Sequence, residues 1–445
     1  MPRKIKNRPR LNTRLKTSVF LLFILLCGLS SGSAQSGGEP EIGRGRAMLS
    51  EIKGEIKEHY YDPGFHSMDV DARFKAAEEK LKQSTSLGQT FSIIAQAVAD
   101  LNDSHTFFIP PSRAIRTEYG WQMRMYGDKC FVVAVKPGSD AEAKGVKVGD
   151  EVTAVNGIGL TRETFSKLQY LYHMLRPQPG LRVDLRSPAG EERQLEVMAK
   201  VVNLDKVILH PGIIFYSFGE AASDGLLRTE NFQEISSTAI VWQLPSFSVP
   251  EDKMDEAMKR VGKYRTLIID LRDNPGGYIK TLEQLAGYFF DKDVQIAERK
   301  GRKKMEPMVA QAHKDRKFNG KIVVLVDSES ASCSELFARL MQLEKRGVVI
   351  GDVTAGAVMQ SSVHNLRYGG LTSIFYGASI TNADVIMSDG KSLERVGVIP
   401  DELLLPTAAD LAQGRDPMLA RAAALAGVTL EPEKAGALFP IKWKK

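Results

Sequence analysis

The clearest hydrophobic pattern along the chain is a short apolar run that gives way to small polar residues and then to a helical repeat. The apolar run at 322–326 predicts a buried strand, and residues 327–334 predict a tight turn. The predicted helix after the turn carries apolar residues on one face: Leu336, Phe337, Leu340 and Met341. A serine in such a turn lies at a helix N-terminus, where unpaired backbone N–H groups favour developing negative charge. Ser330, Ser332 and Ser334 are therefore candidate nucleophiles, although serines also cap helices in this position.

Upstream, apolar residues at helical spacing predict a small helical unit over residues 42–116. Met48, Ile52 and Ile56 recur every four residues and indicate one helix of this unit. Within 101–110 the helix ends and a polar turn precedes a predicted aromatic strand; the turn contains His105 between two hydroxyl residues, Ser104 and Thr106. A lone histidine is more often a surface or core residue than a catalyst. The flanking hydroxyls could orient its ring, so His105 is a candidate base.

Alternating apolar and polar positions replace the helical repeat between residues 117 and 201. Glycine-containing turns separate short predicted strands at 120–125, 130–135, 182–186 and 194–199. A short helix is predicted at 141–143 and an amphipathic one at 161–175. We therefore expect a separate β-rich module in this part of the chain.

From residue 202 to 406 strands and helices alternate, which predicts an α/β sheet. The apolar strand at 266–271 suits burial on both faces, and it runs into the sequence RDNPGG at 272–277. Because glycine lacks a side chain, the two glycines after this strand allow backbone N–H groups to point into a site. The remaining predicted strands are at 239–244, 322–326, 348–350, 371–376 and 378–381. An alanine-rich helix is expected at 408–426, within a C-terminal segment, 407–445, to which the sequence assigns no chemistry.

The charge of the chain is concentrated at its N-terminus. The 445 residues are 43% hydrophobic and 26% charged, which is typical of a soluble globular chain of two or three domains. Removing the seven basic residues before Val19 from the net charge of +6 leaves −1, so the rest gives no electrostatic case for nucleic acid. These residues are Arg3, Lys4, Lys6, Arg8, Arg10, Arg14 and Lys16.

The first 34 residues have the layout of a secretory signal peptide. A basic segment precedes the apolar run at 19–26 and the small residues at 30–34, and cleavage is expected after Ala34. This predicts export to the periplasm or beyond, with residues 35–41 as a linker. An uncleaved leader that keeps the protein near a membrane is the alternative. Cys130 and Cys333 would remain after cleavage, too few for a disulfide framework.

The histidines give no metal-site pattern in the sequence. None of the seven is spaced as a ligand pair with another histidine or with a cysteine. We therefore expect no metal and no other cofactor.

Five motifs in a fixed order resemble those of a known enzyme family. They are LNDSHTFF, PGSDAEAKGVKVGDEVTAVNG, LIIDLRDNPGG, VDSESASCSE and ERVGVIPDE. Together they resemble the tail-specific, or C-terminal processing, serine peptidases and their tricorn-type relatives over roughly residues 42–406. The resemblance implies an α/β, crotonase-like (ClpP/crotonase) catalytic core at 202–406, with an inserted PDZ domain at 117–201 and a helical N-terminal unit.

In PDZ domains a chain end adds as a strand, and its carboxylate binds backbone N–H groups. The matching loop here is Tyr119, Gly120, Trp121 and Gln122, which departs from the usual Gly-Leu-Gly-Phe form. The resemblance implies peptide binding at this loop. The alternative is a PDZ module that only covers or gates the catalytic domain.

The resemblance also assigns the nucleophile and the oxyanion site. The family nucleophile is the middle serine of SASCSE, which is Ser332, and it would form an acyl-enzyme. The oxyanion would be bound by the N–H group of Cys333 and by one from Gly276 or Gly277.

The general base differs between branches of the family. One branch uses a lysine after Thr-Phe-Gly, but Ala357 occupies that position here and cannot accept a proton. Tricorn-type members use a histidine preceded by a serine, together with a distant glutamate. The resemblance therefore implies His105 as base, oriented by Ser104 and Glu394, with His364 as the rival base.

The function implied is that of an exported serine endopeptidase acting on unfolded or C-terminally exposed polypeptides. A non-catalytic binding protein on the same fold is one alternative, and a PDZ-based adaptor that binds peptides is another. The sequence leaves the oligomeric state open.

Overall fold

A computed structural model describes residues 39–203, 229–370 and 373–444. Its strands are β1 (Phe107–Ile109), β2 (Ile115–Glu118), β3 (Trp121–Tyr126), β4 (Lys129–Val135), β5 (Glu151–Val155), β6 (Ile158–Gly159), β7 (Gly180–Arg186), β8 (Glu192–Met198), β9 (Lys200–Asn203), β10 (Asn231–Ser236), β11 (Ala239–Gln243), β12 (Thr266–Asp270), β13 (Val294–Gly301), β14 (Met305–Ala310), β15 (Lys321–Val326), β16 (Val348–Gly351), β17 (Met359–Tyr368), β18 (Ile374–Met387) and β19 (Glu402–Leu403). Its α-helices are α1 (Glu39–His59), α2 (Val70–Leu81), α3 (Leu87–Ala99), α4 (Asp140–Ala143), α5 (Arg162–Tyr170), α6 (Glu251–Val261), α7 (Ile279–Gly287), α8 (Cys333–Leu343), α9 (Ala408–Ala412), α10 (Pro417–Leu425) and α11 (Pro432–Ala437). Within these ranges no helix is long and apolar enough to cross a membrane. The predicted signal peptide lies outside the described residues.

A largely parallel sheet forms the centre of the molecule. Its strand order is β10-β11-β12-β15-β16-β19, and all pairs except β10 with β11 are parallel. Alternate residues of its strands pack on one side against α6, α7 and α8. The others pack on the opposite side against α10 and α11. All five residues of β12 are buried, which confirms the prediction of burial on both faces.

An antiparallel sheet joins the N-terminal helices to this centre. Its order is β1-β18-β13-β14, with β17 also pairing with β18. Helices α1, α2 and α3 share one hydrophobic cluster with Phe108 of β1 and with Tyr376, Ala378 and Ile380 of β18. The aromatic strand predicted after the polar turn is β1, and it makes the N-terminal unit part of the second sheet.

The segment between β2 and β9 forms a separate antiparallel unit. These two strands pair with each other, and between them lies a sheet of order β3-β4-β5-β7-β8 with β6 beside β5. The unit contacts the central sheet directly, because Tyr126 and Phe131 share a hydrophobic cluster with Val323 and Leu325. We call residues 115–203 the inserted unit.

Two predicted boundaries at the ends of the chain are wrong. Helix α1 starts at Glu39, inside the segment 35–41 that was predicted as a linker. The single helix predicted at 408–426 is two helices, α9 and α10. The chain turns between them at Gly414, which has a φ of 64°, and Pro417 begins the second helix at a position where its missing N–H costs nothing.

Three other element predictions differ from the structure. The strands predicted at 371–376 and 378–381 belong to one longer strand, β18, apart from residues 371 and 372, which lie outside the described residues. The helix predicted at 161–175 changes at Leu171–Leu175 into a π-helical turn. Strands β13, β14 and β17 were not predicted from the pattern, and neither were β2, β5, β6, β9, β10 and β19.

Candidate active site

The turns after β12 and β15 meet at one edge of the central sheet. The two strands are adjacent and parallel, so their carboxyl ends lie side by side. The Asp273 N–H donates to the Asp327 carboxylate at 2.9 Å, and the Ala331 N–H donates to the Asn274 carbonyl at 3.0 Å. The RDNPGG turn and the serine turn are thus one hydrogen-bonded unit.

The structure distinguishes the three candidate serines. Ser330 is fully buried, and its hydroxyl donates to the Leu271 carbonyl at 2.7 Å. Ser334 is also fully buried, and its hydroxyl donates to the Asn274 carbonyl at 2.9 Å. Ser332 is only partly buried and immediately precedes α8. Its φ of 55° and ψ of −117° are strained for a non-glycine residue, as in the turns that expose a nucleophile between a strand and a helix.

The predicted oxyanion donors lie beside Ser332. A Cβ on Gly276 would come within 2.7 Å of the Ser332 Cβ, so only glycine fits there. The Gly276 N–H donates to the Asn274 side chain at 2.9 Å and is therefore already used. In the described ranges the N–H groups of Gly277 and Cys333 donate to no backbone carbonyl, and both lie close enough to the Cys333 thiol to act against the rise in its pKa.

Cys333 is not a second nucleophile. Its thiol is buried and contacts the Gly277 carbonyl at 3.4 Å. Burial raises the pKa of the thiol to about 12, so it stays protonated at neutral pH.

Ser104, His105 and Glu394 form one hydrogen-bonded group. The Ser104 Oγ lies 2.7 Å from His105 Nδ1 and donates to Glu394 Oε2 at 2.8 Å. The Ser104 N–H donates to the other oxygen of Glu394, also at 2.8 Å. Residues 290 positions apart in the chain therefore meet, as the resemblance implies.

This contact fixes which nitrogen of His105 carries its proton. A hydroxyl has one proton, and that of Ser104 goes to the Glu394 carboxylate, so its oxygen accepts from the Nδ1–H of His105. The other ring nitrogen, Nε2, is then an unprotonated acceptor. Burial lowers the pKa of His105 to about 4, against an opposing effect from the charge of Asp103.

The backbone beside Ala357 connects this group to the serine turn. The Ser332 N–H donates to the Ala357 carbonyl at 2.9 Å, and the next residue, Val358, donates its N–H to Glu394 Oε2 at 2.9 Å. Across the described part of the chain, no hydrogen bond joins the His105 ring directly to the Ser332 hydroxyl.

The rival base, His364, lies elsewhere. It belongs to β17, and its Nδ1 is 2.6 Å from the carboxylate of Glu55 in α1. Its ring contacts that of His59, with 4.5 Å between the centroids. These contacts place it among residues of the N-terminal helix, whereas His105 is bonded to the group that reaches the serine turn.

Sequence reasoning missed Glu335, a fully buried acid in the first turn of α8. Its carboxylate accepts from the Thr354 hydroxyl at 2.6 Å and from the N–H groups of Gly356, Ala357 and Ser332 at 2.8, 3.0 and 3.0 Å. Burial raises its pKa to about 7, while these donors oppose that shift. An acid three residues after a serine at a helix start is a capping signal, and it could have marked this residue.

Replacing Glu335 with alanine is expected to lower the free energy of unfolding by about 3 kcal/mol or more, because several buried donors lose their acceptor. Urea unfolding followed by far-UV circular dichroism measures the change. Glu344→Ala, at the exposed end of the same helix, is the matched control and should change stability by less than about 0.5 kcal/mol. Equal effects of the two substitutions would contradict this role for Glu335.

Asp103 and Arg124 also position the site and were not predicted. One oxygen of Asp103 accepts from the N–H groups of His105 and Thr106 at 2.9 and 2.7 Å, and from the Thr381 hydroxyl at 2.6 Å. It therefore holds the histidine turn against β18. Arg124, in β3, lies 3.1 Å from the carboxylate of Asp273 and 3.3 Å from that of Asp327, so the inserted unit contacts both turns of the site.

The residues predicted to bind a chain end lie at the start of β3. Tyr119, Gly120, Trp121 and Gln122 are all buried. The Gly120 carbonyl accepts from the N–H of Lys136 at 2.8 Å, and its φ of 77° is one that glycine favours. Peptide binding at these residues stays a prediction.

Known peptidases are similar to this chain in sequence and in fold. The model of peptidase family S41 matches residues 238–404. A carboxyl-terminal-processing protease of Picosynechococcus sp. is 25% identical over 333 residues, which cover 71% of this chain and 73% of the relative. The chloroplastic carboxyl-terminal-processing peptidase 1 of Arabidopsis thaliana is 23% identical over 395 residues, with 83% and 73% covered. Among solved structures, mature CPAF aligns with a TM-score of 0.62 at 17% identity and covers 83% of this chain and 94% of its own.

Proposed function

This chain is a serine-type peptidase of family S41, and from that premise we propose that it is an exported endopeptidase that cleaves unfolded or C-terminally exposed polypeptides. The observation that carries the proposed mechanism is the bond from Ser104 to Glu394, because it leaves Nε2 of His105 unprotonated. Polypeptide substrates follow from the family. Export rests on the layout of residues 1–34.

In the proposed mechanism the Ser332 hydroxyl attacks the carbonyl carbon of the scissile peptide. Nε2 of His105 takes the hydroxyl proton, and Ser104 and Glu394 stabilise the imidazolium that forms. The N–H groups of Cys333 and Gly277 donate to the oxyanion; Gly276 is not used because its N–H is already bonded to Asn274. His105 then gives the proton to the leaving amine, and water hydrolyses the acyl-enzyme by the same steps in reverse order.

The hydrogen bond between His105 and Ser332 is part of this proposal. Catalytic hydrogen bonds are often long or poorly aligned before substrate binds and tighten in the complex. The chain of contacts from Ser332 through the backbone at Ala357 and Val358 to Glu394 supports the approach of the two side chains.

The finer division of the chain is also proposed. Residues 1–34 are the signal peptide, 42–116 the N-terminal region, 117–201 a PDZ domain, 202–406 a crotonase-like core and 407–445 the C-terminal segment. The antiparallel sheet of the inserted unit and its motif PGSDAEAKGVKVGDEVTAVNG support the PDZ assignment. Binding of a substrate chain end at Tyr119, Gly120, Trp121 and Gln122 rests on the resemblance alone.

The test uses the purified full chain with a denatured casein-like polypeptide and with the same amount of a stably folded protein. We expect internal cleavage of the unfolded substrate, identified by mass spectrometry, and labelling of Ser332 by a serine-reactive phosphonate. The absence of both cleavage and labelling would favour a non-catalytic binding protein. Binding of peptides with free carboxyl ends, in the absence of both, would favour an adaptor.

The acid side of the pH profile provides a separate prediction. Burial lowers the pKa of His105 to about 4, so kcat/KM should be lost as the pH falls through about 4 rather than through the usual histidine value of about 6.5. The same shift has a consequence for stability. The contribution of neutral His105 to the free energy of unfolding is fully present above pH 6.5. It is lost as the pH falls toward 4, because the histidine then binds a proton in the unfolded chain but not in the folded one.

Initial rates at low substrate concentration, measured from pH 3.5 to 9 with a peptide lacking ionisable groups, give this profile. Stability at each pH is followed in parallel, so that unfolding is not mistaken for titration. An acid limb centred near pH 6.5 or above would contradict a buried neutral base at His105.

A further inference from the structure

Two histidines and a glutamate meet between α1 and β17, on elements that the proposed mechanism does not use. Glu55 and His59 are one helical turn apart in α1, and His364 belongs to β17. One ligand atom from each of the three lies within 4.8 Å of the other two. We propose that these side chains form a binding site for a divalent transition-metal ion, with Zn²⁺ as the preferred ion.

One carboxylate oxygen faces both imidazoles. Glu55 Oε2 is 3.5 Å from His59 Nε2 and 2.6 Å from His364 Nδ1. Ligands that each lie about 2.0–2.2 Å from Zn²⁺ in tetrahedral geometry are roughly 3.4 Å apart from one another. The pair of Glu55 with His59 already has this spacing, and the pair with His364 must open by about 0.8 Å.

The backbone around the site is fixed, while the ligands stay accessible. Arg302 donates to the carbonyls of Glu58 and Lys57 at 2.9 and 3.0 Å and so holds the end of α1. The side chains of His59, Glu55 and His364 are 39%, 29% and 17% exposed, so an ion can reach them from solvent. The ring of His59 is exposed, so it has room to turn toward a bound ion.

The donor set selects the class of ion. Two imidazoles and one carboxylate, with room for a water, are a common ligand set for Zn²⁺. Imidazole nitrogen suits Zn²⁺, Cu²⁺ and Ni²⁺, whereas Ca²⁺ and Mg²⁺ prefer oxygen ligands throughout. The sequence predicted no metal because 309 positions separate Glu55 from His364, and a glutamate four residues before a histidine is ordinary on a helix.

A bound ion would fasten α1 to the hairpin of β17 and β18. The N–H of Tyr61, two residues after His59, donates to the Thr381 carbonyl of β18 at 3.0 Å, and the Thr381 hydroxyl donates to Asp103 at 2.6 Å. The site is thus two residues along the chain from a segment that contacts the histidine turn. Binding to the folded state alone would raise the thermal midpoint with increasing Zn²⁺ concentration.

The test titrates the full chain, freed of metal with a chelator, with ZnCl₂ in competition with a chromophoric chelator. Glu55→Gln and Glu58→Gln are the matched pair, since each removes one negative charge from the same helix but only the first removes a ligand. We expect one Zn²⁺ per chain, weakened at least about tenfold by Glu55→Gln and by His364→Ala and less than about twofold by Glu58→Gln. Co²⁺ serves as the spectroscopic probe. Its visible absorption should be lost in Glu55→Gln and His364→Ala and kept in Glu58→Gln.

Three outcomes would overturn the proposal: no Zn²⁺ binding at high micromolar concentration, equal weakening by Glu55→Gln and Glu58→Gln, or full binding by a His59→Ala/His364→Ala double variant. Displacement of Co²⁺ by Mg²⁺ or Ca²⁺ at comparable concentration would count against it as well. Should Glu55→Gln unfold, His59→Ala carries the test, because this side chain is exposed and its removal leaves the helix core intact.

Discussion

Replacing Ser332 with alanine is expected to lower kcat by about 10⁶-fold while leaving the fold unchanged, because the variant lacks the oxygen that we propose attacks the substrate. Ser332 is only partly buried, and its N–H bonds to Ala357 and Glu335 are made by the backbone. Alanine keeps both. Hydrolysis of an unfolded polypeptide, followed with a fluorescent peptide substrate, measures the rate, and urea unfolding measures the stability.

Ser330→Ala is the matched control, two residues away in the same turn. Its hydroxyl donates to the Leu271 carbonyl and accepts from the Asp327 N–H at 2.9 Å, so its loss should cost about 1–3 kcal/mol of stability. The nucleophile remains, so activity should persist at temperatures where the variant is folded. The two substitutions should therefore have opposite effects. Ser332→Ala should be stable and inactive, whereas Ser330→Ala should be less stable and active. An active Ser332→Ala variant would remove Ser332 from the mechanism.

The strand, turn and helix around Ser332 could be predicted because the pattern that specifies them is local. The apolar run and the helical repeat appear in the structure as Lys321–Val326 and Cys333–Leu343. The pattern could not say which serine is accessible, since the acceptors that bury Ser330 and Ser334 come from the turn after another strand. The family resemblance selected Ser332, and Ser332 is the least buried of the three serines in the structure.

The rest of the site depends on contacts across the chain, which periodicity does not record. Glu335 is one carboxylate among many in the sequence, and its importance follows only from donors about twenty positions away in the loop that ends at Ala357. Arg124 reaches the site because the inserted unit packs on the central sheet. The broken helix near residue 414 is a different kind of error, because Gly414 and Pro417 were visible in the sequence.

The hydrogen-bonded group of Ser104, His105 and Glu394 leads to the second large prediction. His105→Ala should lower kcat by about 10⁴-fold or more, because the variant lacks the group that we propose accepts the Ser332 proton. Glu394→Gln should lower kcat by about 10²- to 10⁴-fold, since the amide cannot stabilise an imidazolium as a carboxylate does. Ser104→Ala removes the link between the two and should have a similar effect.

Combined substitutions test whether these residues act as a unit. Because Glu394 contacts His105 through the Ser104 hydroxyl, the proposed mechanism predicts that a Ser104→Ala/Glu394→Gln double variant loses little more than the worse single variant. His105→Ala combined with Ser332→Ala should likewise be no slower than Ser332→Ala alone. His313→Gln is the histidine control, because its ring contacts Tyr288 and the Gln284 carbonyl in another part of the fold.

The distinction from a purely structural role comes from the pH profile of the single variants. Loss of Glu394 removes a negative charge from the group that holds the histidine turn, so the residual activity of Glu394→Gln should depend on pH differently from that of the parent protein. A substitution that only loosened the fold would change the pH profile no more than the folded fraction, measured at each pH, accounts for. Additive losses, or a His105→Ala variant with nearly full activity, would mean that another group takes the proton and that the Ser104–Glu394 contact serves only to attach the histidine turn to the core.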